Sequence, residues 1–508
     1  MKKGKRRLGL KIIDLQNLVL ELQNKQSGKS IGLCHGVFDV VHVGHINHFQ
    51  EASELVDVLI VSVTTDRFVN KGPDRPVNKI LDRISTVAGI EFVDYVVVSD
   101  SPSAIEVINK IKPTFYFKGK DYENVANSYD LAGNLKEEKL AVHQNGGEVF
   151  FTKSDLRSSS KIINSLNTLS PLQIDVINEV KIFFSKNPIQ DIVENLKKYK
   201  ITIIGEIIHD EYIFTESLGK SGKHPLVAER ELYRKNFFGG IYPVVDTLRT
   251  FVGDKNINVI SLLDTSDLKS NPISFNNVLV DKNYVNIKKI RYINEKTNTF
   301  MFEKYEMNDG YISRENEKKL INLLSIDSNS CDLIIVHDFG HGLITPVIRD
   351  YISNNYKNIT LNVQKNAGNK GFNNVGKYKS ASVVVMNGEE VELELRQKGI
   401  STEDASRIIH KNLKAKIVVI TDGSNGLVIT NGNQVVRVPS FHTGKVTDRT
   451  GAGDALFTIL SIFQLEIENL VVLGYLGNLA GSISLNWFAN EKSITVDDII
   501  KSIYFGLK

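Results

Sequence analysis

The chain has 508 residues, too many for one ordinary domain, and its 42% hydrophobic and 24% charged residues are typical of globular proteins with buried cores. Its formal net charge is only +3, which gives no electrostatic case for a nucleic-acid partner. The two cysteines, Cys34 and Cys331, are too few for a disulfide framework or a zinc site, and they favour a reducing, cytoplasmic location.

The first third of the chain alternates short apolar runs with helical patterns. The runs Ile31–Cys34, Val58–Val63, Tyr95–Val98 and Thr114–Phe117 are typical of buried strands, and patterns such as Leu81–Ile90 lie between them. This alternation predicts βαβ units and a Rossmann-like parallel sheet that is covered on both faces. Ligands of such sheets bind at the carboxyl ends of the strands.

The pattern changes between residues 167 and 199. There, Ile174–Phe184 and Ile189–Leu196 indicate two amphipathic helices with no strand between them. We therefore predict an N-terminal domain at residues 1–166, a helical linker at residues 167–199 and a second α/β domain at residues 200–508.

The second domain contains further apolar runs that are typical of buried strands, at Ile201–Ile204, Leu333–Val336, Ser382–Val385 and Ile417–Ile420. Near its end, Val471–Leu485 is strongly apolar but is interrupted by glycines and falls short of 18 residues. This stretch predicts a buried helix and no membrane span.

A phosphate-binding pattern follows the first predicted strand. Ile31–Cys34 leads into a turn with Phe38 and Asp39 and then into His42-Val43-Gly44-His45 at the start of a helix. Amides at a helix N-terminus bind phosphate, and Gly44 allows close approach of the backbone. The two histidines can both donate hydrogen bonds to charge that grows on an attacked phosphate. A histidine pair is more often a capping or surface feature, but this strand–turn–helix context favours a nucleotide site.

These residues resemble the H-x-G-H nucleotidyltransferase superfamily, in particular the adenylyltransferase domain of bacterial heptose-phosphate enzymes and the glycerol-phosphate cytidylyltransferases. Three more segments resemble the heptose branch or the superfamily: Lys71-Gly72 with Asp74-Arg75-Pro76-Val77-Asn78, the K-G-x-D-Y-like Lys118-Gly119-Lys120-Asp121-Tyr122, and Ser158-Ser159-Ser160 in place of S-T-T. Lys153 occupies the place of an arginine in the cytidylyl branch. The base is therefore open between ATP, which the heptose-like segments favour, and CTP.

The resemblance implies attack of a phosphate monoester on the α-phosphate of a nucleotide, release of pyrophosphate, and Mg²⁺ as a cofactor. The implied catalytic residues are His42, His45 and Lys118. The implied nucleotide-binding residues come from the same turn, loops and helix start: Phe38, Asp39, Gly44, Lys71, Arg75, Gly119, Asp121, Ser158, Ser159 and Ser160. The serines could equally be a helix N-cap, and an exposed lysine is more often simply solvated.

The sharpest motif of the second domain is Asp448-Arg449-Thr450-Gly451-Ala452-Gly453-Asp454-Ala455, followed by the apolar helical run Leu456–Phe463. Glycines at a helix start leave amides free to hold a phosphoryl anion, and a carboxylate in the first turn can take a proton from an incoming hydroxyl. The string resembles the D-T-x-G-A-G-D signature of ribokinase-like (PfkB family) sugar kinases. That resemblance implies that Asp454 is the catalytic base and that Gly451, Ala452 and Gly453 form the anion hole.

Two further segments match the same family in the same order. Asn387-Gly388-Glu389-Glu390 resembles N-x-x-E, which implies that Asn387 and Glu390 organise phosphates and that Glu390 takes part in binding Mg²⁺. Thr421-Asp422-Gly423-Ser424-Asn425-Gly426 resembles T-x-G-x-x-G, which implies nucleotide contacts for Thr421, Gly423 and Gly426. The first segment could also simply cap a helix, and the second could be an ordinary turn.

The resemblance further implies that substrate is bound by Asp210, by the pair Gly239-Gly240 and by Asp338. Three segments depart from the family pattern in this region: Ile241-Tyr242-Pro243 replaces a small-residue stretch, Asn362-Val363-Gln364 stands in place of D-P-K, and His337-Asp338-Phe339-Gly340-His341-Gly342 stands in place of D-Y-x-K-G. The departures favour a different acceptor over an impaired kinase, because the phosphoryl-transfer motif is intact.

Together the two sites predict a bifunctional enzyme that phosphorylates a sugar or sugar phosphate and makes an NDP-sugar, such as an NDP-heptose, for cell-surface polysaccharide. The heptose enzymes that it resembles have the kinase first, so the domain order here is reversed. The alternative is a cytidylyltransferase for a polyol or sugar phosphate with a degenerate kinase-like domain. Ile213–Lys235 and Tyr284–Tyr305 predict a small β-lid, and because ribokinase-like proteins often pair through such a lid, we expect a homodimer.

Overall fold

The computed structural model describes residues 11–25, 28–69, 75–119, 135–153, 169–265, 277–308, 310–369, 371–442 and 446–507. The chain divides into two compact units, one formed by residues 1–168 with 500–508 and the other by residues 169–499. Within the described ranges, no helix combines the length and the apolar character that crossing a bilayer requires.

In its described part, the first unit is built on one five-stranded parallel sheet. The strands are β1 (Ile31–Gly36), β2 (Val58–Thr64), β3 (Tyr95–Ser99), β4 (Phe115–Gly119) and β5 (Glu148–Thr152), and their order across the sheet is β3-β2-β1-β4-β5. The helices are α1 (Leu15–Lys25), α2 (Val43–Glu54), α3 (Ile80–Ala88), α4 (Ile105–Ile111) and α5 (Leu135–Gln144). The predicted strands and the parallel sheet are confirmed. The strand order reverses between β1 and β4, which is where ligands of such sheets bind.

Side chains on the two faces of this sheet belong to two separate hydrophobic clusters. Leu33 and Ile60 lie in one cluster, and their neighbours Cys34 and Val61 lie in the other. Successive side chains of a strand point to opposite faces, so the continuous apolar runs of the sequence fill both clusters. This two-sided burial holds the carboxyl ends of β1 and β4 in place.

The second unit contains a nine-stranded sheet among its described residues. Its strands are β6 (Ile201–Gly205), β9 (Ile257–Leu263), β10 (Asn277–Val280), β13 (Leu333–Asp338), β14 (Ile359–Val363), β15 (Val383–Asn387), β16 (Ile417–Thr421), β17 (Leu427–Thr430) and β18 (Val435–Val438). Their order across the sheet is β10-β9-β6-β13-β14-β15-β16-β17-β18. The pairs from β10 to β16 are parallel, and β17 and β18 are added antiparallel.

A second sheet in this unit has four strands: β7 (Ile207–Lys220), β8 (Val227–Gly240), β11 (Ile287–Asn294) and β12 (Thr299–Glu306). Their order is β12-β11-β7-β8. Strands β7 and β11 are parallel, whereas β8 and β12 run antiparallel to their neighbours. The sheet comprises the two segments from which the sequence predicts a β-lid, and we call it the lid sheet.

The helices of the second unit are α6 (Pro171–Lys186), α7 (Ile189–Leu196), α8 (Tyr242–Val252), α9 (Arg314–Asp327), α10 (Pro346–Asn355), α11 (Gly388–Leu395), α12 (Thr402–Leu413), α13 (Ala452–Phe463), α14 (Leu470–Ser484) and α15 (Val496–Gly506), the last of which continues into the residues grouped with the first unit. Nearly all side chains of α14 are buried, as the apolar stretch near the C-terminus predicts.

The two helices for which the sequence predicts a linker, α6 and α7, lie within the second unit. On α6, Gln173 Nε2 donates a 2.8 Å hydrogen bond to the carbonyl of Ser440. On α7, Asn195 Nδ2 donates to Glu466 Oε2 at 3.1 Å. The second unit therefore begins near residue 169 rather than at residue 200, because the apolar faces of both helices are buried against it.

Candidate active sites

The turn between β1 and α2 is built around a strained aromatic residue. Phe38 has a φ of +51°, a left-handed conformation that costs a non-glycine residue about 1–2 kcal/mol. Its buried ring packs edge-on against the ring of His45, with centroids 5.3 Å apart, and tilted against Phe49 at 5.2 Å. This packing offsets the strain and orients the start of α2 beside the carboxyl end of β1.

The two histidines of this turn lie at the N-terminus of α2 with their rings stacked, 4.0 Å between centroids. His42 Nδ1 accepts a hydrogen bond from the Gly44 amide at 3.1 Å, and His45 Nδ1 accepts one from the His42 amide at 3.4 Å. A neutral imidazole that accepts through Nδ1 carries its proton on Nε2. Each ring is therefore assigned its proton on Nε2, at a helix N-terminus where an anion is favoured, and Nε2 of His42 is buried from solvent.

Asp39 fixes the position of the loop at residues 75–78. Its buried carboxylate accepts hydrogen bonds from the amides of Val77 at 3.0 Å and Asn78 at 2.9 Å. The Arg75 guanidinium lies 3.6 Å from the same carboxylate, and both side chains are almost fully buried. The structure thus brings Asp39 and Arg75 together as an ion pair, and their contacts with a nucleotide stay predictions.

Sequence reasoning missed Arg83, which is 1% exposed. Its guanidinium donates to the carbonyls of Val37 at 2.6 Å and Asn78 at 3.0 Å, and to Asp66 Oδ1 at 2.6 Å. It therefore ties the β1–α2 turn to the loop held by Asp39. The sequence does contain a signal for a buried arginine, because Arg83 falls on the apolar face of the predicted helix, one residue before the buried Ile84.

Lys118, the residue before the end of β4, forms a buried ion pair. Its ammonium lies 3.0 Å from Glu138 Oε2 on α5, and both side chains are less than a tenth exposed. Glu138 also accepts hydrogen bonds from the Ala104 amide at 3.0 Å and the Tyr116 hydroxyl at 2.9 Å. Burial raises the pKa of Glu138, but the Lys118 charge, the influence of His35 and the hydrogen bonds from the Ala104 amide and Lys118 outweigh it and hold the pKa below the usual 4.5. The catalytic role of Lys118 stays a prediction.

Another histidine of α2, His48, also belongs to this region. Its Nδ1 lies 2.7 Å from Thr152 Oγ1 at the carboxyl end of β5. Burial, aided by the Lys118 charge, lowers the pKa of His48 to about 4. His48 is therefore neutral near pH 7. Gly119 follows Lys118 and has open space around its Cα. Five nucleotide-binding residues of the sequence prediction lie outside the described residues: Lys71, Asp121, Ser158, Ser159 and Ser160.

The candidate site of the second unit is centred on the N-terminus of α13. Gly451 has a φ of +83°, and a Cβ placed there would lie 2.6 Å from Asn490 Oδ1, so the position requires glycine. Asp448 closes the turn, because it accepts hydrogen bonds from the amide and the hydroxyl of Thr450 and from the Ala489 amide, each at 3.0 Å. Asp454 lies in the first helical turn, as the sequence predicts.

Two residues from the unusual segments of the sequence contact the carboxylate of Asp454. Gln364 Nε2, just after β14, donates a hydrogen bond to Asp454 Oδ1 at 2.7 Å. His337 Nε2, on β13, lies 3.3 Å from the same oxygen. His337 is fully buried, and its Nδ1 has no hydrogen-bond partner among the described residues. Both contacts occupy Oδ1, so Oδ2 is the carboxylate oxygen left to take a proton.

Three of the four predicted sugar-binding residues, Asp210, Gly239 and Gly240, come together within the lid sheet. Arg291 Nη1 on β11 donates to Asp210 Oδ1 at 2.6 Å, and Asp210 is buried. A Cβ on Gly239 would lie 2.1 Å from Asp210 Oδ2, and a Cβ on Gly240 would lie 2.1 Å from the Glu206 carbonyl oxygen. The glycine pair is therefore needed for close packing against β7. Sequence reasoning missed Arg291.

Asn490 links this region to the glycine turn at the start of α13. Its Nδ2 donates a 3.4 Å hydrogen bond to the carbonyl of Phe238, next to Gly239, while its Oδ1 faces Gly451. One side chain thus contacts both the lid sheet and the glycine turn of α13. No motif signals Asn490, because it lies far along the chain from both partners.

Asp338 is turned into the protein. Its carboxylate is 1% exposed and accepts hydrogen bonds from the Gly340 amide at 3.0 Å and from the Tyr378 hydroxyl and the Lys377 ammonium, both at 2.6 Å. Asp338 therefore secures the segment after β13, and substrate contact by this residue stays a prediction.

The neighbouring Glu206 is equally buried and supports the same segment. It accepts hydrogen bonds from the amides of Phe339 and His341, each at 3.1 Å. Burial and then the Asp338 charge raise the pKa of Glu206 to about 7. These contacts hold the backbone that carries His337 and His341.

Asn387 and Glu390 form a helix capping box at the start of α11. Asn387 Oδ1 accepts from the Glu390 amide and Glu390 Oε2 accepts from the Asn387 amide, both at 2.9 Å. Glu390 Oε1 also accepts from the Lys365 amide at 3.3 Å. Burial raises the pKa of Glu390, and the charge of Asp454 raises it further, so the two carboxylates are electrostatic neighbours. The capping alternative is thus present, and it leaves each Glu390 oxygen a second lone pair.

In the described part of the chain, no group of three or more His, Cys, Asp or Glu side chains could hold a metal ion. Mg²⁺ is commonly bound by one or two carboxylates together with water and substrate phosphates. The buried Glu390 carboxylate could supply one such ligand, and Mg²⁺ binding by this residue stays a prediction.

The loop after β16 adopts left-handed backbone conformations at two of its glycines. Gly423 and Gly426 have φ values of +54° and +92°, and a Cβ on Gly426 would lie 2.2 Å from the Val438 carbonyl oxygen. Thr421 Oγ1 lies 3.5 Å from the Met386 carbonyl oxygen. Close packing accounts for Gly426, and nucleotide contacts by the loop stay a prediction.

Comparison with known protein families identifies both domains. Residues 33–165 match the family model described as cytidylyltransferase-like, and residues 265–486 match the model described as pfkB family carbohydrate kinase. The chain therefore joins a cytidylyltransferase-like region to a region that matches pfkB family carbohydrate kinases.

Individual relatives match much shorter stretches. The Bifunctional protein HldE of Campylobacter fetus subsp. fetus (strain 82-40) is 42% identical over 114 residues, which are 22% of this chain and 24% of that protein. The protein of the same name from a Nitratiruptor species is 45% identical over 98 residues, 19% of this chain and 21% of that protein. The matches fall in the N-terminal domain. The chain thus spans less than a quarter of the length of these curated relatives.

Among solved structures, phosphofructokinase-2 from Escherichia coli in complex with potassium is 15% identical with a TM-score of 0.49, covering 61% of this chain and 99% of that chain. Ribokinase from Thermotoga maritima is also 15% identical, with a TM-score of 0.46, covering 60% of this chain and 99% of that one.

Proposed function

We propose that this protein is a bifunctional enzyme that phosphorylates a sugar or sugar phosphate and transfers a nucleotidyl group from a nucleoside triphosphate to a sugar phosphate. One observation carries the proposal: a single chain holds both the paired His42 and His45 donors of a cytidylyltransferase-like domain and the Asp454 helix start of a pfkB domain. The product is an NDP-sugar, with an NDP-heptose favoured because the HldE relatives resemble this N-terminal domain.

In the kinase step, Asp454 Oδ2 takes the proton of an acceptor hydroxyl. The hydroxyl oxygen forms a bond to the γ-phosphorus as the bond between that phosphorus and the β-phosphate oxygen breaks, and the nucleoside diphosphate leaves. Gln364 and His337 hold Oδ1 of Asp454. The amides at Gly451 and the start of α13 stabilise the charge on the transferred group. Glu390 would hold Mg²⁺, which would supply positive charge to the nucleotide phosphates.

In the nucleotidyl step, an oxygen of a sugar phosphate bonds to the α-phosphorus of the triphosphate while the bond to the β-phosphate oxygen breaks. Pyrophosphate leaves. The Nε2–H groups of His42 and His45 donate to the α-phosphate oxygens, on which negative charge accumulates. The α2 N-terminus adds a favourable local field.

For the nucleotidyl step we favour ATP, with CTP as the alternative. The HldE similarity supports ATP, because the heptose branch that the segment around Lys118 resembles transfers adenylyl groups. The matching family is described as cytidylyltransferase-like, which supports CTP as the alternative nucleotide substrate. The experiment supplies each triphosphate in turn and identifies the base in the product.

The second candidate function is a nucleotidyltransferase whose kinase-like domain binds without catalysing. The observations that favour it are the replacements at His337, His341 and Gln364, which lie beside Asp454 or in the segment held by Glu206. We prefer an active kinase, because the motif from Asp448 to Asp454 is intact in the sequence and its turn is closed by Asp448 hydrogen bonds at the start of α13, which supports the proposal.

The test incubates the full chain with Mg²⁺, ATP or CTP, and panels of free sugars and sugar phosphates. Phosphoryl transfer is followed with label in the γ-phosphate, and nucleotidyl transfer by release of pyrophosphate. Two labelled products that depend on different sugars support the bifunctional enzyme. Pyrophosphate release with no phosphorylation of any sugar supports the second candidate.

We also propose a homodimer that forms through the lid sheet, in a cytoplasmic enzyme. The sheet exposes large apolar side chains: Phe300 and Phe302 on β12 are 54% and 55% exposed, and Leu218 on β7 is 63% exposed. A patch of this kind is typical of a surface that associates.

A further inference from the structure

The ends of two neighbouring strands carry both residues that contact the carboxylate of Asp454. Gln364 follows the last residue of β14, and His337 is the residue before the end of β13. These strands are parallel neighbours, with His337 in register with Asn362. The backbone amide of Gln364 donates a 2.9 Å hydrogen bond to the carbonyl of Asp338, the last residue of β13. The approach of both side chains to Asp454 therefore depends on how the two strand ends are held together.

The side-chain amide of Gln364 lies close to both of the other groups. Its Nε2 is 2.7 Å from Asp454 Oδ1 and 3.1 Å from His337 Nε2. An amide NH2 group has two hydrogens, so one group can donate to both acceptors. His337 Nε2 is itself 3.3 Å from the same Asp454 oxygen. The three groups form a triangle, in which a rotation of the Gln364 side chain would change the contacts of the carboxylate.

One asparagine side chain joins the two strand ends. Asn373 Nδ2 donates to the carbonyl of Gln364 at 3.0 Å and to the carbonyl of Asp338 at 3.1 Å. Its Oδ1 accepts a hydrogen bond from Lys377, whose ammonium also lies 2.6 Å from Asp338 Oδ2. Both ends of the Asn373 amide are thus engaged, which fixes its orientation between the end of β13 and the residue after β14.

A second asparagine, Asn369, is buried and supports the same join. Its Nδ2 donates to the carbonyl of Phe339 at 2.6 Å and lies 3.4 Å from the carbonyl oxygen of Gln364. Gly340 has a φ of +71°, and a Cβ placed there would lie 2.4 Å from Asn369 Nδ2 and 2.6 Å from Asn373 Cγ. The approach of the two asparagines therefore requires glycine at this position. We call Asn369 and Asn373 the asparagine bridge.

The segment that carries the bridge reaches both candidate carboxylates of the kinase site. The Gln364 side chain contacts Asp454, and the backbone amide of the next residue, Lys365, donates to Glu390 Oε1 at 3.3 Å. A buried carbonyl at a strand end needs a hydrogen-bond donor, and the bridge supplies donors from this same segment. A shift of the Gln364 backbone would therefore displace groups that contact Asp454 and Glu390.

We infer that Asn373 is a positioning residue of the kinase site, which holds the two strand ends so that Gln364 and His337 contact Oδ1 of Asp454. This inference rests on the proposed kinase function. Among the residues that the structure describes, the hydrogen bonds of the Asn373 side chain run to Gln364, Asp338 and Lys377. Asn373 therefore acts on Asp454 through other residues, and Gln364 is the direct link.

The first experiment compares wild type with Asn373→Ala and, as a matched control, Asn374→Ala, the next residue, which is exposed. Each is assayed with γ-labelled ATP and the acceptor found in the sugar panel. Losing hydrogen bonds between neutral groups lowers kcat about 3- to 10-fold in Asn373→Ala and changes KM for ATP little. Asn374→Ala keeps the wild-type kcat. A wild-type kcat in Asn373→Ala overturns the inference.

A second variant covers poor folding of Asn373→Ala, which its melting temperature reveals. Asn373→Asp keeps the side-chain size and an acceptor for Lys377 but removes both donors to the carbonyls of Gln364 and Asp338. Its kcat is expected to fall at least as far as that of Asn373→Ala, and a wild-type kcat in Asn373→Asp contradicts the inference equally.

The double variant Gln364→Ala with Asn373→Ala separates positioning from a merely structural role. If Asn373 acts through Gln364, adding Asn373→Ala to Gln364→Ala changes kcat less than about twofold, because coupled residues are not additive. A structural role would lower kcat by the same factor in both backgrounds, and that result overturns the inference.

NMR of the full chain labelled with ¹³C at histidine Cε1 provides a readout without turnover. The His337 signal is identified by its absence in His337→Gln, and it is expected to shift in Asn373→Ala but not in Asn374→Ala. If wild type phosphorylates no acceptor and the signal still shifts in Asn373→Ala alone, the proposed kinase activity fails while the bridge stands. An unchanged His337 signal in a folded Asn373→Ala protein contradicts the positioning role.

Discussion

Gln364 donates a 2.7 Å hydrogen bond to Oδ1 of Asp454, although the two residues are 90 positions apart in the chain. His337 approaches the same oxygen at 3.3 Å. Two segments that depart from the kinase pattern therefore converge on the one residue for which that pattern implies catalysis. The departures are better understood as a changed support for the base than as loss of the site.

Replacing Gln364 by Ala is expected to lower kcat of phosphorylation about tenfold or more while changing KM for ATP little. The lost hydrogen bond to a charged group is worth about 1.5–3 kcal/mol, and the carboxylate then adopts more orientations. Steady-state kinetics with γ-labelled ATP measures both constants. Gln397→Ala, in the segment after α11, is the control. A wild-type kcat in Gln364→Ala would contradict the positioning role.

Asp454→Asn removes the proton acceptor and is expected to lower phosphorylation about 10²- to 10⁴-fold, the usual contribution of a general base. The variant keeps the side-chain volume, so the fold is retained. Pyrophosphate release by the N-terminal domain of the same sample is the internal control and is expected to be unchanged. Phosphorylation at the wild-type rate would exclude Asp454 as the base.

His45→Ala is expected to lower pyrophosphate release about 10²- to 10³-fold, because one preorganised donor to the α-phosphate is lost. Phosphorylation by the pfkB domain is expected to continue. His143→Ala, an exposed histidine of α5, is the matched control. If His45→Ala releases pyrophosphate as fast as this control, the paired-donor mechanism is wrong.

His48 makes the stability of the first unit sensitive to acid. Its pKa is about 4 in the folded chain and about 6.5 when unfolded, so the unfolded state binds more protons between these values. Stability is full above pH 6.5 and falls as pH drops toward 4, by on the order of 2 kcal/mol for this partly buried group. His48→Gln is expected to flatten this dependence.

Hydrogen–deuterium exchange of peptides from β1 and α2, measured between pH 7.5 and 4.5 with correction for intrinsic rates, follows the His48 effect locally. The same loss of protection in wild type and His48→Gln would assign the acid sensitivity elsewhere, for example to His35, whose pKa burial also lowers to about 4.

Replacing Phe300 and Phe302 together by Asp is expected to convert the proposed homodimer to monomer, because charge on a buried apolar interface is costly. Sedimentation velocity over a range of protein concentrations measures the mass. Ile326→Asp, at an apolar residue of α9 that is 78% exposed, is the control and should remain dimeric. A wild type that is monomeric at every concentration would refute the lid interface.

Features that depend on neighbouring residues were predictable from the sequence. The buried strands, the turn with Phe38 and the helix starts at His42 and Asp454 are encoded by contiguous apolar runs and motifs. Domain boundaries and long-range hydrogen-bond partners were harder to predict from the sequence. The sequence assigns α6 and α7 to a linker, because it does not reveal that Gln173 reaches Ser440.

The residues that sequence reasoning missed all contact partners that lie far away in the chain. Arg83 reaches Val37, and Asn490 reaches Phe238 across 252 positions. Arg291 was missed because an arginine in a predicted strand is ordinarily an exposed residue, and only the pairing of β11 with β7 places it beside Asp210.

The register between β7 and β11 limits which changes in chain length the lid sheet can accept. A slip of one residue between β7 and β11 would exchange the two faces of β11 and carry Arg291 to the opposite side. Insertions or deletions within β11 would therefore move Arg291 away from Asp210 without touching any motif residue. Length changes in the turn at residues 295–298, beyond the last paired residue of β11, would leave that contact intact. The spacing of the lid therefore matters to this contact as much as the identity of the side chains that it carries.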